Sequence, residues 1–207
     1  MSAHQSRTDS GLPPIDAALR IRLAQLGAEG WELWERFDIE VRTRGFHPFV
    51  AADYEKVLET LIRLREPGLR FLEWGSATGV ITIMADLLGF EAYGIELDPD
   101  LVTVAEGLAR RYASRARFTV GSFLPTGYEW RPRNGEVRIR YIGTGVSGYP
   151  EMGHPLDDFD LVFGFPWGGE AELMLDLMRC YGNPDARLLI HDVERGMLIY
   201  RGGKRVA

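Results

Sequence analysis

The stretch FLEWGSATGVITIMADLLGFEAYGIELDPD, from Phe71 to Asp100, decides the fold. A short apolar run ends in an acid and a loop of small residues, an apolar-faced helix follows, and a second apolar run ends in another acid. This change from strand to helix to strand is typical of a parallel sheet with crossover helices.

The same alternation continues on both sides of this stretch. Strands are predicted over 70–74, 91–96, 116–120, 159–167 and 186–193, and the run 196–201 is expected to pair back on the strand before it. Helices are predicted over 14–36 with a break near Gly27 to Gly30, over 53–65 with Asp53 as cap, and over 78–88, 99–112 and 168–182.

Composition limits the class of protein. With 207 residues and 45% hydrophobic residues, the chain can form one domain with a sizeable core. A net charge of -6 disfavours a large nucleic-acid footprint. Cys180 is the only cysteine, which excludes a disulfide within the chain and a cysteine-based metal site. We interpret Cys180 as a small core residue.

No targeting or metal-binding pattern is recognised. The start MSAHQSRTDSGLPP has no apolar signal region, and no run is long enough to span a membrane, so we expect a cytoplasmic protein. The histidines stand at positions 4, 47, 154 and 191, and no pair of them has the spacing of helix-borne metal ligands. We therefore predict no metal.

The loop EWGSATG carries the chemistry of the opening stretch. Gly75 and Gly79 permit tight turns, and the small residues Ser76 and Ala77 let a ligand approach the backbone. Amides at the start of the next helix point into the loop. The second strand ends in Glu96, where a carboxylate can accept two hydrogen bonds from a ribose diol. These features fit any cofactor that contains a nucleoside.

Glu73 distinguishes between such cofactors. An ionised Glu73 would repel a pyrophosphate by about 4 kcal/mol at ~4 Å and an effective dielectric constant of ~20. S-adenosylmethionine instead presents a cationic amino group and sulfonium. The loop also lacks the G-x-G-x-x-G spacing of dinucleotide sites. Glu73 therefore favours S-adenosylmethionine over NAD.

These motifs resemble those of class I S-adenosylmethionine-dependent methyltransferases, from about Phe46 to Val193. EWGSATG resembles their first motif, and Glu96 with the adjacent Leu97 resembles their ribose-binding acid and its neighbour. FTVGSF, with Ser122 and Phe123, resembles the motif beside the adenine. FDLVFGFPW, with Gly164, resembles the fourth-strand motif that faces the methyl group.

The resemblance implies an α/β fold with a Rossmann-like, doubly wound and mostly parallel sheet. Because few residues follow Val193, we expect the family's seven strands to be trimmed to about five or six. We divide the chain into a disordered tail (1–13), a helical segment that covers the cofactor (14–66) and the methyltransferase domain (67–207). An insertion over 124–157 separates the third and fourth strands and includes a strand-like run over 136–142.

The motifs depart from the family pattern at three positions. Ala77 replaces the usual middle glycine, and Ser122 stands where an acid often binds the adenine amino group. GFPW has Gly164 and Phe165 in place of the first two residues of the Asp/Asn-Pro-Pro-aromatic signature of amino-methylating enzymes. The resemblance therefore does not imply methylation of adenine or glutamine amines.

Candidate catalytic residues lie after the fourth and fifth strands. Pro166 and Trp167 follow a strand end, where open α/β sheets bind ligands, and are candidates for the methyl-transfer pocket. His191 ends the next strand and is either a general base or a structural histidine. His154 would reach the site only if the insertion folds over it, and Phe46 to Phe49 either cover the cofactor or pack on the sheet edge.

Three hypotheses for function follow. The first is transfer of a methyl group from S-adenosylmethionine to a nitrogen, oxygen or sulfur of a small molecule or protein side chain. The second is a module that binds the cofactor or its demethylated product without catalysis, suggested by the altered GFPW. The third, disfavoured by Glu73, is an NAD-dependent oxidoreductase. The sequence leaves the acceptor and the oligomeric state open.

Overall fold

We describe a computed structural model of the chain over residues 15–42, 49–129, 145–167 and 170–207. The helices are α1 (Ala17–Arg42), α2 (Tyr54–Leu64), α3 (Val80–Leu87), α4 (Pro99–Arg111), α5 (Tyr149–Met152) and α6 (Glu170–Tyr181). The strands are β1 (Arg70–Trp74), β2 (Glu91–Glu96), β3 (Arg117–Val120), β4 (Leu161–Gly164), β5 (Arg187–Asp192), β6 (Gly196–Arg201) and β7 (Lys204–Arg205).

The strands form one sheet in the order β3-β2-β1-β4-β5-β6-β7. The five strands from β3 to β5 are parallel, and Phe71 of β1 lies between Ala92 of β2 and Leu161 of β4. Strand order reverses at β1, so the connections after β1 and β4 leave in opposite directions. This arrangement confirms the predicted doubly wound, mostly parallel α/β fold.

The predicted number of strands is wrong, since the sheet has seven strands within the described residues. β6 pairs antiparallel with β5, as expected, and β7 then pairs with β6. Gly202 and Gly203 between them have φ angles of 56° and 73°, the positive values that a two-residue hairpin turn requires. β7 is only Lys-Arg, which carries no apolar alternation that a sequence pattern could reveal.

The predicted break in the first helix is also wrong, because α1 continues through Gly27 and Gly30 to Arg42. A Cβ on Gly30 would lie 2.7 Å from Cγ2 of Val80 and 2.9 Å from Cε2 of Tyr54. The absence of a side chain therefore lets α1 approach α2 and α3 closely. Gly30 therefore serves packing between helices, and neither glycine ends the helix.

The core has two layers, one on each face of the sheet. On one face α1, α2 and α3 pack on Phe71, Phe163 and Leu189, and on the other α6 packs on Leu72 and Val162. Adjacent residues of a strand point to opposite faces, so these buried strands read as continuous apolar runs.

Part of the insertion lies beside the edge of the sheet formed by β3. Ser147 of the insertion forms an isolated bridge with Ser122, which follows β3, and a Cβ on Gly121 would lie 2.7 Å from Cα of Gly148. The predicted strand over 136–142 and the proposed tail over 1–13 lie outside the described residues. Cys180 is exposed on α6, which corrects its interpretation as a core residue.

Candidate functional site

A cleft of about 280 Å³ opens at the carboxyl edge of the parallel strands, beside the reversal of strand order. It is lined by Phe49, Val50, Trp74, Gly75, Ala77, Ile95, Glu96, Leu97, Asp98, Leu101, Gly121, Phe123, Phe165, Trp167, Glu170 and Met174. The charged residues of this lining are three carboxylates, Glu96, Asp98 and Glu170. The described wall of the cleft therefore favours cationic ligands.

The glycine loop forms one wall of this cleft with its backbone. Gly75 and Ala77 have φ angles of 68° and 45°, and both line the cleft. The amide of Ser76 donates to the carbonyl of Ile95 at 2.9 Å, which ties the loop to β2. Gly79, with φ at 77°, packs against β3 and α4, since a Cβ there would lie 2.6 Å from the ring of Phe118.

Glu96 holds the loop and faces the cleft at the same time. Its Oε2 accepts from the amide of Ala77 at 2.8 Å, and its Oε1 accepts from the amide of Asp98 at 3.0 Å. An ionised carboxylate has about four acceptor positions, so these two bonds leave acceptor capacity for a ligand. Glu96 can therefore take hydroxyl donors without giving up the loop.

Glu73 lies beneath the loop and does not line the main cleft. It is 4% exposed, borders a small adjoining cavity of about 40 Å³, and accepts from the amide and the hydroxyl of Thr82 through Oε2. Burial raises the pKa of Glu73 to about 8, while the bonds from Thr82 oppose this shift and the nearby Glu96 adds to it.

This raised pKa weakens the influence of Glu73 on the charge of the ligand. Near neutral pH, and without a cation beside it, Glu73 is mostly protonated and repels a pyrophosphate only weakly. The preference for a cationic ligand rests on the three cleft carboxylates instead. Ser76 borders the same small cavity, and its buried Oγ has no hydrogen-bond partner among the described residues.

The far end of the cleft is aromatic and apolar. Phe123 stacks on Trp74 with ring centroids 5.4 Å apart and planes at 23°, and both rings line the cleft with Leu97. The indole of Trp74 donates to the hydroxyl of Tyr149 at 2.9 Å. Ser122 is buried, and its Oγ accepts from the amide of Leu124 at 3.0 Å instead of lining this cleft.

The segment after β4 forms the opposite wall. Gly164 is covered by Met174, because a Cβ on this glycine would lie 2.5 Å from the sulfur. Trp167 lines the cleft, and its amide donates to Oε2 of Glu170 at 2.7 Å. Sequence reasoning missed Glu170, which is 3% exposed. Its only signal was an acid three residues after Trp167 at the start of a helix.

Pro166 and His191 are not lining residues of the cleft that contains Trp167. They line a separate shallow cavity of about 300 Å³ with residues 192–195. His191 is 6% exposed, its ring meets that of Phe165 edge to face at 4.7 Å, and burial lowers its pKa. His191 therefore shares a cavity with Pro166 but does not line the cleft that contains Trp167.

The remaining candidates lie away from the cleft or outside the described residues. His154 contacts the hydroxyl of Tyr93 at 3.1 Å and Asp158 at 2.9 Å, and borders a different cavity of about 620 Å³. Phe46, His47 and Pro48 lie outside the described residues, whereas Phe49 is buried and lines the cleft.

The described parts of the chain lack both a membrane-spanning helix and a cluster of metal ligands. Over these residues no helix is both long and apolar enough to cross a membrane. No group of three or more histidine, cysteine, aspartate or glutamate side chains that could hold a metal occurs among them.

Comparison with curated proteins finds a methyltransferase that matches part of the chain. The chain is 34% identical over 103 residues to the ribosomal protein L11 methyltransferase of Thermus thermophilus, a match that covers 47% of this chain and 41% of the relative. It thus spans less than half of that relative. No family model matches the chain. The matched relative confirms, over this segment, the resemblance to class I methyltransferases.

Solved structures similar to this chain include methyltransferases at low identity. One is an RNA methyltransferase from Salinibacter ruber in complex with S-adenosyl-L-homocysteine, at 17% identity and a TM-score of 0.47, covering 66% of this chain and 74% of that one. Another is a TehB-like SAM-dependent methyltransferase from Corynebacterium glutamicum, at 16% identity and a TM-score of 0.43, covering 81% and 72%.

Proposed function

We propose that this protein transfers a methyl group from S-adenosylmethionine to an acceptor bound in the same cleft. One observation carries the proposal: the glycine loop, Glu96 and an aromatic end lie together around a cleft of about 280 Å³ at the reversal of strand order. The 34% identity to a methyltransferase over 103 residues supports it.

The residues present fit this cofactor. Acceptor positions left on Glu96 suit a ribose diol, and Phe123 with Leu97 suits a flat apolar base. The orphaned hydroxyl of Ser76 and the backbone at Gly75 and Ala77 suit the methionine part. When bound, the cofactor supplies a methyl group already activated by its cationic sulfur.

The chain's own contribution is alignment of the acceptor and exclusion of water. Trp167 and Met174 form the wall after β4, where we place the acceptor. The relative from Thermus thermophilus is named as a methyltransferase of ribosomal protein L11. For this chain we propose a protein side chain or a small molecule, and the net charge of -6 makes nucleic acid the less favoured acceptor.

The test is calorimetric titration with S-adenosylmethionine, S-adenosylhomocysteine and NAD. We expect micromolar binding of the first two and at least a tenfold loss in Glu96→Ala, since this change removes the ribose acceptor and the hydrogen bonds from the amides of Ala77 and Asp98. Glu91→Gln, at the opposite end of β2, is the matched control and should bind normally. Binding of NAD alone would reject the proposal in favour of an oxidoreductase.

A second candidate is a module that binds the cofactor without turnover. It is favoured by Gly164, which provides no side chain for an acceptor and is covered by Met174. Tight binding of S-adenosylhomocysteine, with no methyl transfer to any amine, hydroxyl or thiol in a cell extract, would support this candidate over the first.

A further inference from the structure

Glu170 has a feature that its structural role does not explain. It is the first residue of α6, and its Oε2 accepts from the amide of Trp167 three residues earlier. A glutamate that reaches back in this way caps a helix, as in a capping box. One oxygen completes that task, and an amide side chain would do it equally well.

The second oxygen is left without a partner. Oε1 of Glu170 is buried and accepts no hydrogen bond from any described residue, although the side chain lines the cleft. A buried acceptor without a donor costs about 1–3 kcal/mol, and more when it is charged. Such an atom in a cleft wall indicates a donor supplied by a ligand.

The surroundings limit what that ligand can be. The other charged groups of the described cleft wall are Glu96 and Asp98, so no lysine or arginine there can neutralise Glu170. An anionic acceptor would be repelled, whereas a protonated amine would satisfy Oε1.

We propose that Glu170 binds the methyl acceptor as an ammonium group and takes its proton before transfer, so that the acceptors of this protein are amines. This inference rests on the proposed function. It assigns to Glu170 the proton-accepting role for which His191 was a candidate.

The proposed reaction has two steps. First, an N–H bond of the ammonium breaks, its electron pair stays on nitrogen, and the proton moves to Oε1 of Glu170. Second, the nitrogen lone pair forms a bond to the methyl carbon while the carbon–sulfur bond breaks and its electron pair goes to sulfur. The products are a methylated ammonium, the neutral thioether of the cofactor and a protonated Glu170.

The protonation behaviour of Glu170 agrees with this geometry. Burial raises the pKa of Glu170 to about 7, while the amide of Trp167 opposes the shift. A general base works best when its pKa lies near the working pH. Since the pKa is raised, the ionised form that binds an ammonium is present above about pH 7 and is lost as the pH falls through that value.

The test compares Glu170→Gln with wild type and uses butylamine as the probe. Glutamine keeps the acceptor for the amide of Trp167 but has no charge. On protein loaded with S-adenosylhomocysteine, we expect butylammonium to bind wild type and to bind at least tenfold more weakly to the variant. Butyrate should bind neither. Glu172→Gln, an exposed site two residues along α6, is the matched control and should behave as wild type.

Transfer from S-adenosylmethionine to butylamine, measured by mass spectrometry, is the second measurement. We expect at least a hundredfold loss in Glu170→Gln near pH 7, within the usual range for a general base. The loss should shrink near pH 10, where the free amine needs no base. A purely structural Glu170 would give a loss independent of pH.

The outcomes separate the two proposals. Equal amine binding by wild type and Glu170→Gln, or no amine binding by wild type that binds S-adenosylhomocysteine, overturns the role of Glu170 and leaves the proposed function intact. Failure of wild type to bind S-adenosylhomocysteine overturns both. If Glu170→Gln does not fold, the pH dependence of butylammonium binding by the wild type is the test. This binding must weaken as the pH falls from 8 to 6, and unchanged binding refutes the inference.

Discussion

Replacing Glu73 with glutamine should change how the stability of this protein depends on pH. Burial raises the pKa of Glu73 to about 8, whereas the same carboxyl in an unfolded chain has its ordinary value near 4.5. Between these values the folded state holds a proton that the unfolded state has released. The free energy of unfolding therefore falls as the pH rises through this window, and levels off above about pH 8.

The magnitude follows from this shift. One pKa unit corresponds to 1.36 kcal/mol, so a single such group gives a slope of at most about 1.4 kcal/mol per pH unit. Between about pH 5 and about pH 7.5 the wild type should lose up to roughly 3 kcal/mol through Glu73. Glutamine still offers an oxygen to the amide of Thr82 and does not titrate, so Glu73→Gln should lack this loss.

Urea denaturation at several pH values measures the difference directly. Subtracting the wild-type curve from that of Glu73→Gln cancels the other titrating groups, including Glu170 and His191, whose pKa values shift in opposite directions. The advantage of the variant should be near zero at pH 5 and grow with pH. Glu91→Gln is the control. In the wild type, Tyr93 and Arg70 lower the pKa of Glu91, so Glu91 does not titrate over this range, and the stability curve of Glu91→Gln should run parallel to that of wild type.

A parallel curve for Glu73→Gln would refute the reasoning. It would mean that Glu73 is ionised in the folded protein at neutral pH, with water or a counter-charge beside it. An ionised Glu73 would then itself favour a cationic cofactor.

Three further predictions concern the fold. Gly30→Ala should destabilise the protein relative to Gly107→Ala by about 1–3 kcal/mol in urea denaturation, because both gain helix propensity but only the first meets packed atoms. Asp53→Ala should lower the free energy of unfolding by about 1 kcal/mol, since the carboxylate caps α2 by accepting from the amide of Lys56 at 3.1 Å. Cys180 is exposed and should react with a thiol reagent in the native protein; protection until unfolding would contradict its placement.

Strands with buried faces were predictable from sequence. β1 and β2 were predicted to the residue, because both faces of each strand are covered and turn residues bound a continuous apolar run. Asp53 also caps α2 as expected, and Asp98 caps α4 in the same way. These features depend on local chemistry that a single sequence displays.

The wrong or missing predictions concern features that depend on tertiary packing or on exclusion of solvent. The sequence around Gly27 and Gly30 is typical of a helix break, yet α1 continues there, and its close packing on α2 and α3 requires glycine at position 30. Nothing in the sequence distinguishes Glu170 from other acids at helix starts, because its importance depends on which oxygen is left unpaired in the cleft. The burial of Glu73 could have been anticipated. Adjacent residues of β1 point to opposite faces of the sheet, and Glu73 points to the face that α3 covers, where Thr82 donates to it.

The pairing of β1 has a consequence for the order of folding. Its partner β2 follows closely, with Arg70 and Glu91 separated by 21 residues, whereas the amide of Arg70 meets Asp160 across 90 residues. Loop closure over the longer distance costs about 1.3 kcal/mol more. We therefore expect β4 to join β1 late, and the cleft that straddles them to form only in the final step. A ligand of this cleft should slow unfolding while leaving the folding rate almost unchanged.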